Sequence, residues 1–403
     1  MFGLFRQSFM EGILMMKRVL AFMMLLCLLA TMPIVSFAED VDDEEQPVTL
    51  QPDEAYETDE TDPMVVRWSD NELPTPLGPQ YPDLTLKDFN KKSEALYTCK
   101  MKANTSGYTE RSIEASRVFR VGGDSVTAEV LYVDPLWIIA RWKGELAYVK
   151  RHRIFDVVPV NAETTPPYGV QKHQYVATTC AETEVRVSMS HEDKYWVKLT
   201  PGTTLTIWKI IDGWAVVNYW RGYGYIDIND LTGLTPVSPT DEALYPDTPI
   251  AAYTSYYKME NTEKNANRLV NIDVGIQRMS VTLQPGEIYD CNKQMGPYKP
   301  DIGYLIAGTL SDGASTSGYG GGTCQVSSTI YNALLQLPGV TILQRRAHGE
   351  NAAPYLPHGV DAAVGSDALN LRFRNDYDFP IRLEGHTNYD GALCWLIYRA
   401  DIE

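Results

Sequence analysis

The chain has 403 residues, with 35 Lys and Arg against 52 Asp and Glu, a formal charge of −17, and 44% hydrophobic residues. That length exceeds one ordinary core and points to several domains. The acidic balance, with no basic stripe, excludes a protein built to grip nucleic acid.

At the N-terminus, Lys17 and Arg18 precede an apolar run over 19–29, and Ser36-Phe37-Ala38 offers small residues for cleavage. Residues 1–38 therefore read as a secretory signal peptide, with an uncleaved membrane anchor as the competing reading. Either way the body is expected outside the cytoplasm, touching a membrane only through this segment. Residues 39–63 hold twelve Asp or Glu and no Lys or Arg, and Pro74, Pro76, Pro79 and Pro82 follow. Such a stretch repels itself and buries little, so 39–93 is expected to be a disordered linker.

From residue 94 the pattern changes to short alternating runs, over 125–134, 137–142 and 145–150, which predict a small all-β barrel across 94–160. A second copy follows over 173–234. Tyr97-Thr98-Cys99 is echoed by Thr178-Thr179-Cys180, and Gly144-Glu145-Leu146-Ala147-Tyr148-Val149 by Gly222-Tyr223-Gly224-Tyr225-Ile226, as internal duplication would give. Both segments resemble bacterial SH3-like domains, whose mark is a Trp strand followed by a Gly-Tyr-Ile strand. The resemblance implies modules that hold an enzyme near peptidoglycan, with Trp137 and Trp214 expected in the barrel cores.

Residues 250–403 are mixed in character. A helix is predicted over 261–275, ending at Gly275, with Ala266, Leu269, Val270 and Val274 on one face. Pro285-Gly286 then makes a turn. The glycines of 318–322 lead to Cys324 and a helix with Val326, Ile330, Ala333, Leu334 and Leu337 at helical spacing. Cys324 falls in the first turn, where the helix dipole and free N–H groups favour an anion. Strand-like runs at 340–344, 362–364, 370–374, 380–383 and 393–399 complete an α+β domain over a largely antiparallel sheet.

This last region resembles the VanW-like family. The matching blocks are Leu283-Gln284-Pro285-Gly286-Glu287, Met295-Gly296-Pro297, Gly320-Gly321-Gly322-Thr323-Cys324-Gln325-Val326-Ser327-Ser328, Arg345 with His348, and Gly359-Val360-Asp361-Ala362-Ala363-Val364. The resemblance implies a secreted protein of Gram-positive cell walls, and in some members a cysteine L,D-transpeptidase acting on peptidoglycan stem peptides without a cofactor. Cysteine catalysis needs a nucleophile, a base, a group that orients the base, and oxyanion donors. Cys324 is the candidate nucleophile and His348 the candidate base, with His358 a rival close by. Asp361 either orients the histidine or caps a turn. Gly322, Gln325, Ser327 and Ser328 are candidates to face the substrate, through backbone N–H groups or hydroxyls. Arg345 is a candidate for a stem-peptide carboxylate. A cysteine hydrolase and a wall-binding scaffold are the alternatives. Five cysteines follow the signal, and pairing Cys99 with Cys180 and Cys291 with Cys394 would leave Cys324 free, unless all five stay reduced. No close His or Cys spacing suggests a metal.

Overall fold

The computed structural model describes residues 68, 72–77, 83–241, 245–311, 314–349 and 353–401. The expected signal or anchor and the acidic linker to residue 63 lie outside them. All described residues belong to one compact unit, Val48–Glu403. Its architecture is β-rich, with several antiparallel sheets and few helices.

Seven strands between Tyr97 and Pro159 make the first sheet. The closed barrel expected from the sequence is not formed. Arg117–Arg120 and Ile154–Pro159 stand at opposite ends of the strand order and do not pair with each other. Curvature replaces closure: Tyr97–Met101 shifts register between Thr98 and Lys100 against its neighbour, and such a bulge bends a sheet. One face thereby encloses Tyr97, Met101, Val130, Ile138 and Val149. On the other face Trp137 packs with Leu131, Ile139 and Tyr148, the core role expected of it.

The second module is also open, split between a five-stranded sheet and a three-stranded one in which Tyr175–Thr179 lies between Thr204–Ile207 and Leu231–Pro236. Its core of Val185, Leu199, Leu205, Val217 and Ile226 takes in Tyr256 and Ala392 from the last domain. The two are therefore joined through a shared apolar core. Trp214 is only half-buried and lies 4.8 Å from the His191 ring, so it is not the core residue the sequence suggested.

The last domain pairs a four-stranded sheet, in the order Ala251–Tyr256, Ala392–Arg399, Ile381–Thr387, Thr282–Leu283, with a three-stranded sheet of Ile288–Asp290, Leu371–Asn375 and Val340–Arg345. A hairpin of Ile306–Ser311 and Ala314–Tyr319 is separate. Helix α1 spans Glu263–Met279, capped by the Thr262 side chain on Asn265 N. It runs through Gly275 rather than ending there. The glycine instead lets two helices touch, because a Cβ at that position would sit 3.3 Å from Val326 Cγ2. The buried stripe is accordingly Asn265, Leu269, Ile272, Gly275, Ile276 and Met279, which leaves Ala266, Val270 and Val274 off it.

After a short helix α2 (Cys291–Met295) and the hairpin comes helix α3 (Thr323–Leu334). Val326, Ile330, Ala333 and Leu334 all enter the main core with Trp395, Phe373 and Ile397, each full burial contributing about 1.5–3 kcal/mol for a large apolar side chain. The expected strand at 362–364 is instead an extended segment, held where Ala363 N donates to Arg346 O at 2.7 Å. The suggested disulfides do not form: Cys99, Cys180, Cys291, Cys324 and Cys394 are all free thiols. Cys99 lies in the first module's core, while Cys180 donates to Asn229 O in the second. Cys291 and Cys394 fall in different apolar clusters.

Candidate active site

The glycine loop that feeds α3 is tight because neighbours leave no room for side chains. A Cβ on Gly321 would collide with the Gly308 carbonyl oxygen, and one on Gly322 would lie 3.0 Å from Ile272 Cγ1. Gly322, the N-cap of α3, also holds φ at +116°, a region L side chains avoid. Across residues 320–330 every residue is buried except Cys324. The helix therefore presents one atom group from its first turn, the thiol.

The sulfur has two close protein partners. Sγ lies 3.3 Å from the Val364 carbonyl oxygen, an acceptor for the thiol proton, and it is close enough to the His348 side chain to help raise that group's pKa. On the far side of that ring, Nδ1 lies 2.7 Å from Asp361 Oδ2, which also accepts the His348 backbone N–H at 2.6 Å. With Nδ1 on the carboxylate, Nε2 is left for the sulfur. Arg345 then fixes Asp361, donating from Nε to its backbone oxygen at 2.7 Å and from Nη2 to Oδ1 at 3.3 Å. The result is a cysteine–histidine–aspartate relay, assembled from a helix N-terminus and two irregular segments.

Charge follows from that arrangement. Burial works against the imidazolium of His348, but the hydrogen bonds to Asp361 and Cys324, with their charges, outweigh it and raise its pKa to about 9. Burial likewise opposes the Asp361 carboxylate, yet two hydrogen bonds from His348 and the nearby Arg345 hold its pKa below the ordinary 3.8. Both partners are therefore charged at neutral pH.

The other residues singled out from sequence divide sharply. Gly322 serves as the N-cap and, having no side chain, leaves the Cys324 N–H without an acceptor among the described residues. The Gln325 N–H is engaged by Gly322 O at 2.9 Å, so the Cys324 N–H is the oxyanion donor that remains open. Ser327 and Ser328 are fully buried and donate to Ala362 O at 2.6 and 3.1 Å, strapping α3 to the segment that carries Asp361. Arg345 is spent on Asp361 and on Gly359 O at 3.0 Å, with its guanidinium 5.2 Å from the Tyr331 ring.

His358 stands apart from the sulfur. Its ring lies 5.5 Å from that of His152 in the first module, and burial together with the cations Arg221, His152, Arg151 and Lys102 pushes its pKa down to about 3.

Three groups near Cys324 were not singled out from sequence: Arg268 on α1, Tyr298 and Tyr355, all within electrostatic reach of the sulfur. Burial drives both phenols well above their usual range. For Arg268 a signal existed, a cation flanking the apolar stripe of a helix; the tyrosines carried none. Among the described residues no cluster of three or more His, Cys, Asp or Glu gathers to hold a metal.

Residues 267–397 match the family model described as VanW like protein. Over 154 residues the chain is 31% identical to the uncharacterized protein YoaR of Bacillus subtilis (strain 168), covering 38% of this chain and 48% of that protein. Over 118 residues it is 29% identical to the vancomycin B-type resistance protein VanW of Enterococcus faecalis (strain ATCC 700802 / V583), covering 28% of this chain and 42% of that one. The chain thus spans less than half the length of these two relatives. Among solved structures, NlpC2 from Trichomonas vaginalis is matched over 76% of this chain and 98% of its own at 11% identity, with a TM-score of 0.14, a superposition too loose to bear on fold or chemistry.

Proposed function

Because residues 267–397 form a VanW-like domain, we propose that this chain is an extracytoplasmic cell-wall enzyme, a cysteine L,D-transpeptidase of peptidoglycan stem peptides. The observation that carries the reading is the grouping itself, Cys324 interacting with His348, whose Nδ1 lies 2.7 Å from Asp361. In this reading the three serve as nucleophile, acid-base partner and orienting carboxylate, the groups acyl transfer by a cysteine calls for. The vancomycin-resistance name of one relative supports a wall context, and the two β modules are read as wall-binding elements.

In this reading the Cys324 thiolate attacks the carbonyl carbon of the third stem residue, with the Cys324 N–H facing the oxyanion. The His348 imidazolium protonates the leaving nitrogen, the C–N bond breaks, and D-alanine departs to leave a thioester. An acceptor amine then attacks the thioester, imidazole takes its proton, the C–S bond breaks and the thiolate returns.

Incubation of the full chain with disaccharide-tetrapeptide, read by mass spectrometry, tests this. Cross-linked dimers and an acyl group on Cys324 are expected. Undiminished product from Cys324→Ala would sink the proposal, and tripeptide without dimer would assign water as the acceptor.

A further inference from the structure

Arg268 is held in place with unusual care for a residue that makes no ion pair among the described residues. Gly322 lacks a side chain where a Cβ would meet Arg268 Cγ at 3.2 Å and its carbonyl oxygen at 3.1 Å, so the stem of the arginine crosses the first turn of α3 in contact. Nη2 donates to Gln325 Oε1 at 2.5 Å. That oxygen is aimed by a closed set of buried bonds: Gln325 Nε2 donates to Ser255 Oγ at 3.0 Å, Ser255 meets Thr329 Oγ1 at 2.6 Å, and Thr329 returns to Gln325 O at 2.7 Å. The residue following the nucleophile thus serves to orient a guanidinium.

Among the described residues no carboxylate pairs with Arg268; its charged or titratable neighbours are Tyr355, Tyr257 and Cys324. A desolvated guanidinium without an anion costs stability, and a fold sustains it where a ligand supplies the charge. One of the five N–H donors of the fork is used, and the residue, though largely buried, keeps some exposure, which leaves the rest of the fork for a ligand at this end of α3. Cys324 itself already has His348 and the Val364 carbonyl as partners. A planar fork matches a carboxylate in two parallel bonds, which a single sulfur cannot use.

We propose that Arg268 binds the free carboxylate of the departing residue, so that the site accepts only a donor whose scissile bond precedes one C-terminal amino acid. This rests on Cys324 being the acyl-transfer nucleophile. In such a donor the carboxylate carbon is three bonds from the carbonyl carbon under attack, which calls for a cation on the same helix end as the sulfur, where the bond to Gln325 holds Arg268. An internal peptide bond offers no such charge, and the site would turn it over poorly.

The test compares two tetrapeptide donors, one with a free C-terminal carboxylate and one amidated, on the wild-type chain, Arg268→Lys and Arg268→Gln. Wild type should prefer the free acid in kcat/KM by roughly 10- to 100-fold, the effect of a charge-assisted pair. Arg268→Gln should abolish the preference and Arg268→Lys keep part of it. Equal wild-type rates on the two donors overturn the assignment and leave acyl transfer standing, a comparison that needs no variant to fold. A displaced pH profile for alkylation of Cys324 by iodoacetamide in Arg268→Gln, with the preference intact, also overturns it, making Arg268 the sulfur's counter-ion instead. Failure of either donor to acylate wild-type Cys324 overturns both readings.

Discussion

Replacing Asp361 by asparagine isolates the charge in the relay. The carboxylate accepts His348 Nδ1–H at 2.7 Å and the His348 backbone N–H at 2.6 Å, with Arg345 at 3.3 Å on the other oxygen. The amide of Asp361→Asn has nearly the same shape and keeps one acceptor, but carries no charge. Hydrogen bonds to charged groups contribute roughly 1.5–3 kcal/mol against about 1 kcal/mol for neutral ones, so the imidazolium loses about 1–2 kcal/mol of support. At about 1.4 kcal/mol per pH unit, its titration falls by about one pH unit from the wild-type value near 9. Burial of His348, which already disfavours the charge, is unchanged. Cys324 alkylation and peptide turnover, followed across roughly pH 5–10, should show the basic limb near 9 in wild type and lower in the variant. An unmoved limb in a folded variant would refute the reasoning. Stability carries the same signature. His348 titrates above its ordinary 6.5, so its contribution is complete below 6.5 and lost as pH rises through about 9. Asp361 titrates below 3.8, so its contribution is present above 3.8 and lost on acidification through its folded value. The gap in melting temperature between wild type and Asp361→Asn should therefore be widest between 3.8 and 6.5 and should narrow as pH rises through about 9, while the part due to Arg345 and the backbone N–H persists.

Gly322→Ala forces a side chain to φ +116° and to within 3.0 Å of Ile272 Cγ1, and should cost about 1–3 kcal/mol in urea unfolding from backbone strain alone; a loss under roughly 0.5 kcal/mol would contradict that. His358→Gln should leave turnover within roughly twofold of wild type, since this ring faces His152 and not the sulfur. A fall of about 10²-fold or more, the scale of a lost general base, would transfer the acid-base role from His348 to His358.

The setting of Cys324, at the start of a helix behind a glycine loop, was legible because its signal is local. Glycines, a cysteine and a helical apolar period lie within twenty contiguous positions, and the structure builds them as one loop and one helix. The polar residues of that helix were misleading for a physical reason. Gln325, Ser327 and Ser328 were expected to face a substrate, yet they are buried along with Thr329 and Asn332, because α3 is enclosed on nearly every side and each of these side chains bonds inward. Residue spacing could bring His348 and Asp361 into question together but could not show them meeting, since both sit in irregular chain. Of the two roles weighed for Asp361, the carboxylate meets the His348 ring, and the backbone N–H it accepts is that of His348 rather than one in its own turn. Gly275 illustrates the same limit: a glycine late in a helical run signals a C-cap or a close crossing equally well, and only the facing Val326 decides which.

Placement of Asp361 depends on more than its own domain. A Cβ on Gly169 would lie 2.7 Å from Val360 Cγ1, and one on Gly359 3.2 Å from the Tyr168 ring; the chain leaving the first module is thus pressed against the residues just before Asp361. Arg151, buried in that module and donating to Asp134 O at 3.1 Å, has its guanidinium 4.8 Å from the Tyr168 ring, while His152 meets His358. Val360, only 1% exposed, would lose part of its cover without these contacts, and Arg345 ties Gly359 O to Asp361 O on the opposite side. The β modules are therefore part of the scaffold that holds the third member of the relay. Deleting the first of them perturbs the geometry of His348 as well as any affinity for the wall, so loss of activity in such a deletion cannot by itself be ascribed to loss of binding.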